Sequence, residues 1–506
     1  MKQISTLCLG LALGASSLLL SSCEKWLDVT PPSEMRAEEH YSTVLGFQQT
    51  LTGCYISMTN DNAYGKNLTW YAVELMGHQL QNAQDKRSRD LFDHAYDTTE
   101  ALSVSKGIWN ALYNVAANAD DALANLEEHK GELNELEYNL IRGELLAIRA
   151  YVHFDLLRLF GYGNYAGDAA RLSSKLTVPY LTVVDKNQPR QITMADFYTR
   201  LTEDLSEAER LLKASDPLVS GLDEKAYEGV NADGFYNKRD LHLNYYAVKG
   251  LQARVNLWFG TPDNLPKALE AAKEVIAFFK DGGFDSLTFG TTMQEVKAAG
   301  VDASTASLAT EALFEIELAN LGDKLSPYFV LAFSGTHPTA LTTPADRIET
   351  LFEGSTSDVR LLKTLLKNPA AFAYTSLKYN QEGLGDDFKN RLNMMRLSEI
   401  YLIAAEAATL LGQNAEAIDY LVTLRENRGD YGTVKEDLME KEPLLEAIRT
   451  EYEKEFISEG VTFYQYKRWN TALLPLSKEE ETMSPKAYML PFPQDELQNG
   501  YVQDFL

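Results

Sequence analysis

Three sets of residues in this chain could do chemistry: one cysteine behind an apolar leader, seven histidines, and a large excess of carboxylates. The cysteine has the best-defined task. Lys2 precedes the apolar run Leu7–Leu20, which has the length of the hydrophobic segment of a secretory leader. The run closes on Leu20-Ser21-Ser22-Cys23, where small residues fit a leader peptidase and the thiol can accept a diacylglyceryl group. This spacing predicts a signal peptide over residues 1–22 and a lipidated, palmitate-bearing Cys23 that anchors the chain to a bacterial envelope membrane. The plainer alternative is a secretory leader or a buried helix with a chance cysteine. Cys8 lies inside the leader and Cys54 in an aromatic-rich stretch, so no disulfide framework is expected.

The histidines suggest no metal site. His40, His78, His94, His129, His153, His242 and His337 include no His-Glu-x-x-His and no paired-ligand spacing. No Gly-x-Ser-x-Gly elbow and no phosphate-binding loop occurs. Gly161, Gly163 and Gly167 follow a helical pattern rather than a strand, the wrong order for a dinucleotide fingerprint. Among 73 acids some pair will always suit glycoside hydrolysis, but most read as solvated helix faces, as in Glu203-Asp204…Glu207…Glu209. The expectation is a binding protein with no catalytic residues, no cofactor and no metal. With 73 Asp+Glu against 47 Lys+Arg, the formal charge of −26 repels polyphosphates, which argues against nucleic acid and against a polybasic membrane patch. Apolar residues at 45% are enough for a large core, and beyond the leader no apolar run reaches the roughly 18–20 residues of a membrane span.

The elements that would position a binding site are mostly helices. Trp109, Leu112, Tyr113, Ala116 and Leu123 recur at helical spacing. So do Ile141, Leu145, Ile148, Val152, Leu156 and Leu159, with a stop at Gly161-Tyr162-Gly163, where glycine can take a left-handed cap. Asp196–Lys213 reads as a further amphipathic helix. Two helix–turn–helix pairs follow: Tyr246–Phe259 and Pro266–Lys280 around Gly260-Thr261-Pro262-Asp263, then Leu392–Leu411 and Ala415–Arg428 around Gly412. Ala405, Ala408, Ala417 and Leu421 carry the spacing of a tetratricopeptide repeat, and Ala253, Ala268 and Ala272 repeat that grammar. The predicted class is mostly α, a tetratricopeptide-like helical-repeat scaffold, which favours binding over chemistry. From 283 to 390 the pattern becomes an irregular, loop-rich insertion carrying a few short strands, such as Glu311–Leu318. The expected division is a leader (1–22) and a single domain (23–506). That domain comprises a tether (23–36), an N-terminal helical-repeat part (37–282), the insertion (283–390), C-terminal repeat helices (391–470) and a tail (471–506).

Ordered motifs run through nearly the whole chain. Cys23 is followed by Trp26-Leu27-Asp28 and Pro31; then come Trp109, Tyr113 and Asn118, Arg149-Ala150-Tyr151, and Lys249…Ala253-Arg254-Val255. Arg396-Leu397-Ser398-Glu399 opens a stretch to Ala407, with Leu424-Arg425…Arg428-Gly429 behind it. Glu455-Phe456…Glu459-Gly460…Phe463-Tyr464…Lys467-Arg468-Trp469 and Leu490-Pro491-Phe492-Pro493 close the series. In this ordered set the chain resembles the SusD/RagB family of nutrient-uptake outer-membrane lipoproteins of Bacteroidetes. It departs from the family pattern in Ile448–Glu455, where the usual Glu-Arg pair gives way to Arg449 and Glu451-Tyr452, and at Thr462 and Gln465-Tyr466. The resemblance implies a SusD-like fold, capture of oligosaccharides at the cell surface, and delivery to a TonB-dependent, SusC-like transporter barrel in the outer membrane. Capture of oligopeptides on the same architecture is a second reading. A helical-repeat adaptor without a small-ligand site is a third.

Ligand contacts are expected outside the repeat helices, on two irregular stretches. The loop Tyr64–Tyr96 supplies Tyr64, Asn67, Trp70, Arg89, Phe92 and Tyr96, and the insertion Phe284–Tyr379 supplies Tyr328, Phe329, Tyr374 and Tyr379. Rings can stack on the C–H faces of sugars while Asn and Arg donate to hydroxyls. The competing role for each ring is core packing.

Overall fold

Short polar side chains start the long helices. Thr43 accepts from the Gly46 amide at the head of α1 (Val44–Met58). After the short α2 (Ala72–Met76) and α3 (Lys86–Phe92), Thr98 caps α4 (Thr99–Glu128). Asn134 and Glu137 close a reciprocal capping box on α5 (Glu135–Phe160). Thr193 caps α6 (Met194–Ser215) and Asn244 caps α7 (Tyr245–Phe259). Each cap satisfies an amide that has no partner within its helix, a contribution of about 1 kcal/mol. α8 (Leu265–Lys280) carries Pro266 in its first turn, where a missing N–H costs little. The C-terminal half adds α9 (Leu397–Leu410), α10 (Asn414–Asn427) and α11 (Lys441–Glu455). This computed structural model describes residues 39–183, 190–281, 308, 311–329, 338–381, 384–477, 483–500 and 502. The leader, Cys23 and the tether lie outside the described residues.

The helices stack largely in chain order: α4 on α5, α5 on α6, α6 on α7, α7 on α8, and α9 on α10. α8 packs on α9 although residues 281–396 intervene, so the insertion leaves the stack and returns without interrupting it. Ala253, Ala268, Ala272, Ala405, Ala408 and Ala417 are all fully buried, which is the close helix approach that small residues allow. Gly260 (φ 58°) and Gly412 (φ 77°) take the left-handed turns between paired helices. Gly161 does not, contrary to the expected cap. Its φ is −93°, and glycine fits there because a Cβ would lie 2.7 Å from the Leu157 carbonyl oxygen.

The strands are few and short. β1 (Leu176–Pro179) pairs antiparallel with β2 (Gln191–Thr193), a pairing with no clear sequence signal. The predicted strand in the insertion is β3 (Ala312–Glu317). β4 (Thr343–Pro344), β5 (Leu365–Asn368) and β6 (Ala373–Ser376) form a sheet in the order β4-β6-β5. β7 (Arg391–Arg396) runs antiparallel to β3, with Phe314 opposite Met395. The helix expected over Leu392–Leu411 is therefore divided: its first residues are a strand, and α9 begins only at Leu397. Leu392, Met394 and Met395 suit either element, and pairing with the distant β3 decides between them.

Many motif residues act as clasps inside this mostly α scaffold. Arg149 on α5 binds both oxygens of Asp204 on α6 (2.7 and 2.6 Å) and Asp120 on α4 (2.7 Å). Arg254 on α7 binds both oxygens of Glu399 on α9 (2.7 and 2.6 Å). Arg428 joins Glu311, just before β3, to Glu455 on α11. Arg396 joins Glu455 to Glu459. Arg360, from the insertion, binds Glu451 at 2.6 Å, and Arg425 binds it at 2.9 Å. The departure at Glu451 thus brings its own ion pairs. Desolvation offsets much of the attraction in such buried pairs, but removing one partner strands a charge and costs about 3–5 kcal/mol.

Candidate functional site

The two irregular stretches meet. Gln81 and Thr342 exchange both backbone hydrogen bonds (2.8 and 3.1 Å). Asn82 donates to the Pro338 carbonyl at 2.9 Å, the Thr343 hydroxyl donates to the Gln79 carbonyl at 2.7 Å, and Lys324 pairs with Asp61 at 2.7 Å. At this junction the Trp70 ring lies 4.8 Å from Tyr328 and 5.9 Å from Phe329, while Phe329 lies 6.1 Å from Tyr379. Trp70, Tyr328, Phe329 and Tyr379, named from two distant parts of the sequence, therefore form one aromatic cluster.

Most of that cluster faces inward. Tyr328 is half-buried, but Trp70 is only 1% exposed, Phe329 6% and Tyr379 8%. The Tyr379 hydroxyl donates to the Ser458 carbonyl at 2.5 Å. Tyr64 is buried against Tyr151 and donates to Asp155 at 2.7 Å. Asn67 is buried and donates to Asn62 at 3.4 Å. The expectation of surface rings and donors needs correction here: Tyr64, Asn67, Trp70, Phe329 and Tyr379 are buried. The physical reason differs by residue: the insertion's Tyr328 and Phe329 pack on Trp70, α5 covers Tyr64 through Tyr151 and Asp155, and Tyr379 turns inward to Ser458. Tyr374 is buried on β6 opposite Thr343. Arg89 is exposed, with one N–H on the Ala83 carbonyl at 2.8 Å.

Two residues that sequence reasoning missed complete the cluster, the partly exposed Lys66 and the buried Tyr71. Lys66 donates to the Tyr328 hydroxyl at 2.7 Å, and Tyr71 lies 5.8 Å from Tyr328 with its hydroxyl near Ser88 (3.1 Å) and Asp85 (3.3 Å). The only available signal was their adjacency to Asn67 and Trp70.

Phe92 and Tyr96 lie elsewhere, in a cleft of about 900 Å³ shared with His78, His94, Met483 and Pro491. Phe92 stacks on His78 at 3.9 Å, and His78 lies 5.4 Å from His94. Nε2 of His78 meets the Phe92 carbonyl and Nε2 of His94 the Met76 carbonyl, each at 2.9 Å. A carbonyl only accepts, so both Nε2 atoms carry hydrogen and each Nδ1 keeps its lone pair. Burial pushes His78 down to about 4 and lowers His94 as well, which keeps both rings neutral at neutral pH. Nδ1 of His78 is a buried acceptor with no partner among the described residues, suited to a hydroxyl donor. The Tyr96 hydroxyl is taken by the Ala487 carbonyl at 2.9 Å. Among the described residues no group of three or more His, Cys, Asp and Glu could hold a metal, and no helix is long and apolar enough to cross a membrane.

A helical stack with a strand-bearing insertion that meets an aromatic loop is a fold shared with solved structures. A SusD superfamily protein from Bacteroides thetaiotaomicron VPI-5482 is 24% identical, with a TM-score of 0.69 over 91% of this chain and 99% of that one. A SusD-like carbohydrate binding protein from Bacteroides vulgatus ATCC 8482 is 17% identical, with a TM-score of 0.66 over 91% and 97%. Residues 25–220 match the family model described as "Starch-binding associating with outer membrane", and residues 370–501 match the model described as "SusD family". No curated protein matches the chain. The chain belongs to the SusD/RagB family.

Proposed function

We propose that this protein is a lipid-anchored, surface-exposed component of the outer membrane that captures oligosaccharides and delivers them to a SusC-like, TonB-dependent transporter barrel. The observation that carries the reading is the junction: two stretches outside the repeat helices meet and leave Tyr328 half-exposed above a packed aromatic base. A ring so placed can cover the C–H face of a sugar. Phe92, which lines the separate cleft, offers a second ring. The starch-binding description of the matching family model and the carbohydrate-binding relative support a glycan over a peptide. Such capture uses no cofactor, metal or bond-making step.

The leader at residues 1–22 and a lipidated Cys23 would supply the anchor. One acyl chain holds a protein only marginally, so the cysteine must carry more than one. The broad, rigid face of the repeat helices suits a large contact with a barrel. A shallow site with a few rings, each adding about 1 kcal/mol, corresponds to micromolar or weaker capture, near −8 kcal/mol or less. Calorimetry over a panel of maltoheptaose, xylohexaose, mannohexaose, tetragalacturonate and a casein peptide digest tests the reading. Micromolar binding of at least one oligosaccharide, weakened in Tyr328→Ala, is expected; binding of the peptides alone would overturn it.

A further inference from the structure

Basic residues at the junction are arranged unlike most of those elsewhere in this acidic chain. Lys66 holds its ammonium 4.3 Å from the centre of the Tyr71 ring, 4.7 Å from that of Tyr328 and 6.0 Å from that of Trp70. One N–H goes to the Tyr328 hydroxyl at 2.7 Å. Among the described residues no carboxylate pairs with Lys66, and its other N–H groups meet no acceptor. Nearby cations differ: Lys86 is neutralised by Asp90 and Glu100, and Lys324 by Asp61. Arg87 and Arg89 are exposed and, like Lys66, form no ion pair among the described residues. The charge of Arg87 acts on Asp85, whose carboxylate accepts from the Tyr71 hydroxyl at 3.3 Å. A chain with a formal charge of −26 thus holds one ammonium without an ion pair between the rings at its partly exposed tyrosine.

The geometry points to the junction as a site for an anionic oligosaccharide, with Lys66 as the residue that selects the negative charge. The inference rests on the glycan-capture reading for its ligand class. An ammonium held between rings has already given up part of its water and most of its side-chain freedom, so docking an anion adds little further desolvation or ordering. A uronate carboxylate or a sugar sulfate can accept the free N–H groups in charge-assisted bonds while Tyr328 covers the sugar ring. A neutral sugar gains the stacking and leaves the ammonium unmatched. Acids beyond about 8 Å are largely screened at physiological ionic strength, and the nearby Asp85 carboxylate is engaged by the Ser88 amide and hydroxyl.

The test is calorimetry of the full mature chain and of Lys66→Met with tetragalacturonate, a sulfated carrageenan tetrasaccharide and maltotetraose. Methionine keeps the apolar stem in the cage, and matched melting curves verify the fold. Lys66→Gln, together with the salt dependence of binding by the unaltered chain, reports on the same charge if Lys66→Met fails to fold. At least one acidic probe should bind about tenfold or more tightly than maltotetraose, and weaken as salt is raised. Lys66→Met should cost that probe about tenfold to a hundredfold and weaken maltotetraose far less. Which acidic probe wins distinguishes carboxylate from sulfate. Equal or tighter binding of maltotetraose, insensitive to Lys66→Met, overturns charge selection and leaves glycan capture standing. Binding of an aspartate-rich peptide but of no sugar, lost in Lys66→Met, keeps charge selection and removes the glycan reading. Binding of no probe overturns both.

Discussion

At 1% exposure, the Trp70 ring is enclosed by Tyr71, Tyr328 and Phe329, so Trp70→Ala removes packing and should destabilise the protein by about 3–5 kcal/mol. Tyr328 touches the same rings from the outside. Its truncation should cost clearly less stability and show its effect on sugar binding, a contrast that paired melting curves and calorimetry resolve. Glu144 sets the expected response to acid. Burial alone would raise its carboxyl, but His242 and Arg239, bonded at 2.7 and 2.6 Å, hold it down to about 2. The unfolded chain binds that proton near pH 4.5, so the contribution is complete above that pH and is lost as pH falls through about 2. Glu144→Gln should therefore lower stability at pH 7 by about 3 kcal/mol, with the difference from wild type shrinking between pH 4.5 and 2 in urea titrations.

Helix pairs and their turns were legible because period and punctuation are local. The small residues of α7 to α10 and the glycines at 260 and 412 mark them directly. The segment 391–396 was not legible as a strand, since its partner β3 lies some distance away in the chain and nothing local distinguishes Leu392 and Met394 from a first helical turn. The motif arginines had a stronger signal than their position in the sequence explained. Structure gives them a task between elements: Arg254 on α7 and Glu399 on α9 clasp helices on either side of the insertion. Arg254→Met should cost about 3–5 kcal/mol by stranding Glu399, and adding Glu399→Leu should recover part of that loss. A double-mutant cycle in denaturant measures the difference.

The junction was legible only as two stretches worth watching. That Trp70 would meet Tyr328 and Phe329, that Tyr64 would lie under α5 and that Tyr379 would turn inward to Ser458 depends on contacts between distant segments, which no local pattern encodes. Lys66 lacked any motif at all. Anchoring belongs to the same scale: the lipid on Cys23 would hold the stack and its junction at the membrane, where a barrel can receive what is caught. Cys23→Ala should move the protein from the membrane to the soluble fraction in cells lacking the transporter, and retention there would place the anchor elsewhere. The most direct test of capture at the junction is hydrogen–deuterium exchange with and without the tightest-binding oligosaccharide. Slowed exchange confined to residues 64–96, 321–329 and 338–344, with α7 to α10 unchanged, is the expected result. Protection of the repeat helices with the junction unaffected would contradict it.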